Sequence, residues 1–214
     1  MRHTLEFLTN LASNNDQSWF LDHIGDYEQA RTEVSDLAFS VFEQLLSLDP
    51  LLNDEVDPAR FIGTLVVIKP KKSAPYLTHF AISISPVANQ GNEPVYYLHI
   101  DPNGSYLSIK YVPDVFGLQV MRNFITKNLH RFEEVLSAAF SAGFALNEQG
   151  ALTSLPKGYA EGAAGERYLK LKQYEVSSPI DWNKSNDELM KDIVVSFDAA
   201  MPVLSFLREG LGLA

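Results

Sequence analysis

Hydrophobic residues recur along the chain with two periods, and each period predicts a different element. The segment Thr4–Ala12 places leucines at helical spacing, which predicts a short amphipathic helix. Asn14-Asn15 interrupts it, and Asp16 or Ser18 then caps a long helix that runs to about Leu48. The apolar residues that recur at helical spacing in this long helix, and that should face the core, are Phe20, Ile24, Tyr27, Val34, Leu37, Val41 and Leu45.

One ridge of the long helix carries four side chains that are spaced four residues apart: Trp19, His23, Tyr27 and Arg31. Two interpretations of this ridge remain open. In the structural one, Trp19 and Tyr27 pack on the sheet while His23 hydrogen-bonds a backbone group. In the functional one, His23 faces a cleft as an acid, a base or a donor to an anion near neutral pH. Gly25 weakens the helix locally, and a close packing contact would explain it.

From residue 60 the period becomes two, which is typical of antiparallel strands with one face on the core. The predicted strands are Arg60–Ile68, Tyr76–Ser85, Val95–Ile100, Tyr106–Tyr111 and, later, Tyr168–Val176. Asp101-Pro102-Asn103-Gly104 is a hairpin turn in which Asn-Gly supplies positive φ angles. The polar face of these strands gathers His79, Tyr97, His99, Ser108 and Lys110. Spacing identifies no third ligand beside His79 and His99, so we expect no metal and no cofactor.

The C-terminal half returns to helical spacing. Two helices are predicted first, from Pro113 or Asp114 to about Asn128 and over about Arg131–Ala142. A final helix is predicted over about Asn186–Glu209. Ser185 and Glu188 form its capping box, Pro202 should kink it, and Gly210 ends it. Residues 144–163 are irregular. The expected fold is therefore α+β in a single domain over residues 1–214. A mainly antiparallel sheet of about five strands packs against long N- and C-terminal helices.

Composition narrows the class of protein. The chain has 214 residues, of which 46% are apolar and 21% charged, as in a soluble globular protein. It contains no cysteine, which excludes disulfides, thiolate metal ligands and a cysteine nucleophile. The start lacks the features of a signal peptide, and no apolar run approaches the roughly 18 residues of a membrane span. We expect a cytoplasmic protein with no membrane partner.

Charge is distributed unevenly along the chain. The net charge of −10 opposes non-specific nucleic-acid binding, since phosphates would be repelled over most of the surface. The first 59 residues carry a net charge of −10, whereas residues 60–111 carry +3. This positive region could focus a small anionic ligand, or its lysines could protect a solvated sheet edge. Both interpretations stay open.

Several short motifs together resemble one protein family. They are Asn14-Asn15 followed by Trp19-Phe20, His23 and Tyr27; Ala74-Pro75-Tyr76-Leu77-Thr78-His79-Phe80; Tyr96-Tyr97-Leu98 followed by Gly104-Ser105; Pro156-Lys157-Gly158-Tyr159; and Leu169-Lys170-Leu171-Lys172. In this order they are similar to the Domain of Unknown Function 2461 family, whose members are conserved hypothetical proteins. The resemblance is collinear over nearly the whole chain, and it implies no established activity.

The chain departs from the family pattern at two places. Family members usually carry lysine after the signature histidine, where this chain has Ile24, and a charged strand R-D-x-R-F-S-x-D-K before the S-P-Y motif. Here residues 63–72 read G-T-L-V-V-I-K-P-K-K. If those charged residues form a catalytic or anion-binding centre, this chain has lost part of it. The remaining candidate ligand-binding residues are Trp19, His23, Tyr27, Lys72, Tyr76, His79, Tyr97, Lys157, Tyr159 and Lys172.

Three functions are consistent with these observations. The leading hypothesis is binding of a small anionic ligand that bears phosphate or carboxylate, because lysines and tyrosines recur in the most distinctive motifs. The second is a divergent enzyme that uses His23 or His79 as acid or base and lysines to stabilise negative charge. The third is a protein-interaction or structural module with no small-molecule site. The sequence identifies no catalytic residue and predicts no oligomeric state.

Overall fold

A computed structural model describes residues 1–53, 55, 57–65, 76–86 and 92–213 of the chain. Within these residues the fold is α+β, as predicted. The elements in chain order are α1 (Arg2–Ser13), α2 (Gln17–Asp22), α3 (Ile24–Leu45), β1 (Ile62–Leu65), β2 (Phe80–Ile84), β3 (Val95–Ile100), β4 (Tyr106–Tyr111), α4 (Val115–Lys127), α5 (Leu129–Ser141), β5 (Ala145–Leu146), α6 (Glu166–Leu169), β6 (Tyr174–Pro179) and α7 (Asn186–Gly210).

The strands of the described residues form one antiparallel sheet in the order β1-β2-β3-β4-β6-β5. At one edge Ile62 of β1 lies opposite Ile84 of β2, and at the other Ala145 of β5 lies opposite Ser177 of β6. The sheet has one strand more than the five that alternation predicts. The additional strand, β5, has two residues and is too short to show a period of two.

The long N-terminal helix of the prediction is two helices that meet at His23. Asp16 caps α2 by accepting a hydrogen bond from the Trp19 amide, at 3.0 Å. His23, with φ −115° and ψ 25°, leaves the helical region and joins α2 to α3. The close contact expected at Gly25 is also wrong, because no atom lies within 4 Å of the position that a Cβ would occupy. Gly25 instead lies in the first turn after the break, where its low helix propensity matters little.

The predicted strand Tyr168–Val176 is wrong in its first half. Residues Glu166–Leu169 form the short helix α6, and the strand β6 begins only at Tyr174. Leu169 and Leu171, which alternate with Lys170 and Lys172, are buried, so the alternation reflects burial of a helix-to-strand connection. Strands β3 and β4 have the predicted bounds, and β2 is shorter than predicted. The part of the first predicted strand beyond residue 65 lies outside the described residues.

The turn between β3 and β4 forms where predicted but closes differently. Gly104 does not adopt a positive φ angle. The Gly104 amide donates to the Asp101 carbonyl at 3.2 Å, and side chains reinforce this closure: Asp101 Oδ1 accepts from the Asn103 amide at 2.8 Å. Ser105 Oγ accepts from the Asp101 amide at 2.9 Å and donates to the Asp101 carbonyl at 2.8 Å. The backbone and the carboxylate of Asp101 are therefore fixed by the turn.

The chain packs as two compact units. The first comprises Met1–Asn89, Tyr97–Leu107 and Pro179–Val194, and the second Gln90–Tyr96, Ser108–Ser178 and Val195–Ala214. The prediction of a single domain stays a prediction.

In the first unit, α1 packs on α3, and α3 packs on β1 and β2. Its core residues with no solvent exposure include Leu8, Leu11, Val34, Val41, Leu45, Phe80 and Ile82. In the second unit, aromatic rings dominate the core. Tyr96 meets Phe197 of α7 with 5.0 Å between ring centroids, and Phe132 of α5 meets both Tyr168 and Phe206 at 5.0 Å. Helix α7 begins with the predicted capping box and contains Pro202.

Candidate functional site

The N-terminal signature residues form an aromatic cluster in the first unit. The rings of Trp19 and His23 stack with centroids 4.0 Å apart, and Trp19 also stacks on Phe7 at 6.2 Å. His23 Nδ1 lies 2.7 Å from the Trp19 carbonyl oxygen, so a backbone group binds one of its ring nitrogens. Tyr27 is buried against Phe80 of β2, at 6.4 Å. These contacts are those of the structural interpretation of His23, in which it hydrogen-bonds a backbone group.

Two of the motifs that resemble the family meet in space. The side chain of Asn15 binds both backbone groups of Tyr76: Oδ1 accepts from the Tyr76 amide at 2.6 Å, and Nδ2 donates to its carbonyl at 2.8 Å. The ring of Tyr76, which is buried, stacks on Phe20 at 4.3 Å. The Asn-Asn motif therefore anchors the segment that leads to His79 and β2.

The histidine centre, which we define as His79, His99 and Asp101, lies where β2 begins and β3 ends. One ligand-type atom of each residue lies within 4.8 Å of those of the other two. The two imidazole rings are 4.6 Å apart, and His99 Nε2 is 3.8 Å from Asp101 Oδ2. All three side chains are half-buried. Sequence analysis did not identify Asp101 as a third ligand, because the residue was already assigned to the hairpin turn. Its position only two residues after His99 was the signal that could have identified it.

Two tyrosines line the same face beside the histidine centre. Tyr106 of β4 stacks on His99 with 4.8 Å between centroids and 24° between ring planes. Tyr97, a predicted site residue, lies 6.5 Å from His99 and 6.2 Å from Tyr106. The predicted grouping of His79, Tyr97 and His99 on one sheet face therefore holds. Ser108 and Lys110 belong to a different arrangement in the second unit.

That arrangement surrounds Glu175, which is buried in β6. Its carboxylate accepts hydrogen bonds from Ser108 at 3.1 Å and Asn147 at 2.8 Å, and Lys110 Nζ lies 3.7 Å away. Gln173 adds a fourth donor at 3.3 Å. A buried carboxylate with a full set of donors and a cationic partner is a satisfied structural group.

The donor cluster, which we define as Tyr111, Arg122 and Tyr174, has the opposite character. Each of these side chains is at most 6% exposed. Arg122 of α4 donates from Nη2 to the Leu171 carbonyl at 2.9 Å, but its Nε and the hydroxyls of Tyr111 and Tyr174 have no hydrogen-bond partner among the described residues. No carboxylate of the described residues forms an ion pair with Arg122. Sequence reasoning missed this cluster because its members look like ordinary helix and strand residues.

Electrostatics tie the donor cluster to a sequence-predicted site residue. Burial raises the pKa of Tyr174, Arg122 partly opposes that shift, and the phenols of Tyr159 and Tyr111 add to it. Burial, together with the carboxylate of Asp114, raises the pKa of Tyr111 to about 12. Tyr159 is half-buried, and its hydroxyl donates to Asn123 Oδ1 at 3.0 Å. The Pro-Lys-Gly-Tyr motif therefore lies within electrostatic range of the cluster.

Of the three lysines among the predicted site residues, the two in the described part of the chain do not join any of these groups. Lys157 and Lys172 are exposed, and neither forms an ion pair within the described part of the chain. Lys72 lies outside the described residues. Of the predicted candidates, the structure thus groups Trp19 with His23 and Tyr27, His79 with Tyr97, and Tyr159 with the donor cluster.

The fold and these polar groups define an α+β protein with two groups of chemically distinctive side chains, one in each unit. Residues 3–206 match the model of the family described as "Conserved hypothetical protein (DUF2461)". The chain belongs to this family, as its motifs indicated. No curated protein and no solved structure gives a significant match. Among the helices of the described residues, none has the length and apolar character needed to cross a bilayer.

Proposed function

We propose that the protein binds a small anionic ligand, bearing phosphate or carboxylate, at the donor cluster of the second unit. The observation that carries the proposal is the buried guanidinium of Arg122 with no carboxylate partner among the described residues. Guanidinium keeps its positive charge in proteins, and a buried charge without a counter-charge is strongly unfavourable. An anion at this place would supply the missing counter-charge.

The neighbouring phenols support the same ligand class. The hydroxyls of Tyr111 and Tyr174 are buried and lack partners in the described part of the chain, and each can donate one hydrogen bond. A phosphate or carboxylate offers several acceptor lone pairs, and donors of this kind are among those that bind it best. Both phenols are protonated at neutral pH, since the ordinary pKa of tyrosine is 10.0 and burial raises both pKa values further. The cluster therefore offers donors and positive charge where an anion needs them.

The contrast with Glu175 strengthens the argument. Both Glu175 and Arg122 are buried charged groups of the second unit. Glu175 has Lys110, Ser108 and Asn147 as partners, whereas Arg122 has one backbone carbonyl. The fold is thus able to satisfy a buried charge, and the incomplete set around Arg122 favours a ligand.

The test is thermal unfolding of the purified protein with inorganic phosphate, phosphate monoesters and dicarboxylates, at constant ionic strength. A ligand at 100 times its dissociation constant stabilises the folded state by about 2.7 kcal/mol. For a chain of this length each kcal/mol moves Tm by about 2–4 °C, so a shift of about 5–11 °C is expected. The shift should disappear in Arg122→Met, which keeps the side-chain length and removes the charge.

Arg131→Met is the matched control. Arg131 is exposed and pairs with Glu209 at 2.8 Å, so the variant loses the same charge from the surface. It should keep the full ligand-induced shift. The proposal fails if no anion stabilises the wild type, or if Arg122→Met responds as the wild type does.

The enzyme and interaction-module hypotheses remain alternatives. The enzyme hypothesis, with His23 or His79 as acid or base, calls for a close histidine–carboxylate pair at the bottom of a pocket; His99 and Asp101 form a pair 3.8 Å apart beside His79. The interaction hypothesis calls for exposed apolar surface, and Val115 and Phe116 at the start of α4 are 89% and 77% exposed.

A further inference from the structure

We propose that the histidine centre of the first unit, His79, His99 and Asp101, binds a divalent transition-metal ion. The inference does not depend on the anion site, because every residue that it uses belongs to the first unit. It rests on three observations: the donor types, their mutual distances and the hydrogen bonds that hold the carboxylate.

The donor set is chemically selective. Two imidazoles and one carboxylate suit Zn²⁺, Fe²⁺, Co²⁺ and Ni²⁺, whereas Mg²⁺ and Ca²⁺ prefer sites made wholly of oxygen. Three protein ligands leave at least one coordination position for water or a substrate, as in catalytic rather than structural zinc sites. The expected occupant is therefore a first-row transition metal with an open position.

The distances require only a small contraction. Ligand atoms bound tetrahedrally at about 2.1 Å lie about 3.4 Å from one another. His99 Nε2 and Asp101 Oδ2 are 3.8 Å apart, and no pair within the set of three exceeds 4.8 Å. The distances must therefore shorten by about 0.4 Å for the His99–Asp101 pair and by up to about 1.4 Å for any other pair, which small rotations of two side chains supply. His79 directly precedes β2 and His99 lies in β3, and these two strands are neighbours in the sheet.

The carboxylate is held in the orientation that coordination requires. Asp101 Oδ1 accepts from the Asn103 amide at 2.8 Å, which leaves Oδ2 directed to His99. Ser105 fixes the backbone of Asp101 through its hydroxyl. Hydrogen bonds of this type commonly orient the ligands of metal sites.

An aromatic ring packs on one side of the histidine centre, and a solvent-accessible groove borders its carboxylate. Tyr106 stacks on His99 and limits the rotation of its ring. Asp101 also lines a groove of about 520 Å³ together with Glu6, Ser105 and Trp182, so solvent reaches the carboxylate. A metal ion that arrives along this groove would meet Asp101 first, because neither histidine lines it.

Metal binding to the full-length protein tests the proposal. After removal of metal with a chelator, the protein is titrated with Zn²⁺ by calorimetry and with Co²⁺ by visible absorption, which reports coordination geometry. We expect one equivalent bound, with a spectrum of four- or five-coordinate Co²⁺. His79→Gln and Asp101→Asn should each weaken binding by at least about 100-fold, because loss of an outer partner alone costs about 10–100-fold.

The variants are chosen to keep the fold. Asp101→Asn retains an oxygen that accepts from the Asn103 amide, so the turn should persist, and circular dichroism and Tm without metal check this. His130→Gln is the control, because His130 and Glu134 form an exposed pair one helical turn apart, 3.4 Å between Nδ1 and Oε2, that could bind metal adventitiously. It should leave the stoichiometry and affinity unchanged.

Three results would overturn the proposal. They are the absence of a bound equivalent in the wild type, unchanged affinity in folded His79→Gln and Asp101→Asn, and loss of binding in His130→Gln. Any one of these would identify the three side chains as sheet-face packing and turn closure.

Discussion

Replacing Tyr174 by phenylalanine should stabilise the protein in the absence of ligand. Tyr174 is 2% exposed, and its hydroxyl has no hydrogen-bond partner among the described residues. A buried polar group that stays unpaired costs about 1–3 kcal/mol of stability. Removal of one oxygen leaves a void smaller than a methyl group, which costs at most about 1 kcal/mol. The net expectation is a gain of about 1 kcal/mol, or about 2–4 °C in Tm for a chain of this length.

Tyr96→Phe is the matched control, because Tyr96 is an equally buried tyrosine of the same unit. Its hydroxyl donates to Met201 Sδ at 3.2 Å. Its removal should lower the free energy of unfolding by about 0.5–1.5 kcal/mol. Urea denaturation followed by tryptophan fluorescence gives both values, and unchanged m-values show that the comparison concerns stability alone. The two substitutions should therefore have opposite signs.

The pH dependence provides a second check on Tyr174. Its pKa in the folded state is raised, chiefly by burial, above the ordinary value of 10.0. A group with a raised folded pKa contributes stability below its unfolded pKa and loses it as pH rises. The wild type should thus lose stability above pH 10 relative to Tyr174→Phe, and the advantage of the variant should widen.

A destabilised Tyr174→Phe would refute this reasoning, because it would show that the hydroxyl is satisfied in the unliganded protein. Saturating phosphate extends the comparison. If the donor cluster binds the anion, the ligand should stabilise Tyr174→Phe less than the wild type, and Tyr96→Phe as much as the wild type. Equal stabilisation of all three would leave the hydroxyl of Tyr174 outside the anion site.

Three further predictions concern the first unit. Burial alone would raise the pKa of Glu33, but hydrogen bonds from the hydroxyl and amide of Thr4, together with the N-terminal ammonium group, outweigh it and lower the pKa. The stability that Glu33 contributes is therefore present above pH 4.5 and lost as pH falls further, so the difference between wild type and Glu33→Gln in denaturant unfolding should shrink from pH 6 to pH 3. Asn15→Ala should lower the free energy of unfolding, measured in urea, by about 1–3 kcal/mol, because it removes both hydrogen bonds to the Tyr76 backbone. The control Asn14→Ala loses one exposed hydrogen bond and should change that free energy by less than about 0.5 kcal/mol. Equal effects of the two substitutions would contradict the role of Asn15. Ser185→Ala should cost about 1 kcal/mol by removing the cap of α7, and an unchanged Tm would count against the capping box.

Local chemistry explains which parts of the fold could be predicted. Alternation predicts the strands β3 and β4, and the structure has them at the predicted positions. One side-chain acceptor, Asp114, predicts the start of α4, and it caps that helix in the structure. At the break, the His23 ring contacts the Trp19 carbonyl, and helical periodicity does not encode this contact. The helix α6 depends on burial of Tyr168 and Leu169 by the surrounding core. These outcomes depend on tertiary packing rather than on the local pattern.

In the candidate sites, too, some features follow from the local sequence pattern and others depend on tertiary packing. The grouping of His79, Tyr97 and His99 follows from strand alternation once the two strands are neighbours. Asp101 escaped notice because its residue type and its place in a turn already had a structural explanation. Sequence analysis did not identify Arg122 because what distinguishes it is the lack of a partner for its buried guanidinium among the described residues. Whether a side chain has a partner depends on tertiary packing and cannot be predicted from its neighbours in the sequence.

Polarity and burial alone do not separate the proposed ligand-binding residues of this protein from structural ones; the anion proposal rests on the completeness of the partner set. Glu175 and Arg122 are both charged and buried, yet Glu175 has donors on several sides and a lysine, whereas Arg122 has one carbonyl. A different criterion separates His23, bound to the Trp19 carbonyl, from the histidine centre: the donor types and distances of the centre, where Asp101 keeps one carboxylate oxygen on the turn and directs the other to His99. Because the incomplete set around Arg122 costs stability in the unliganded protein, an anion bound there should restore that stability. A metal cation that binds Asp101 and the two histidines should likewise stabilise the folded state, by mass action.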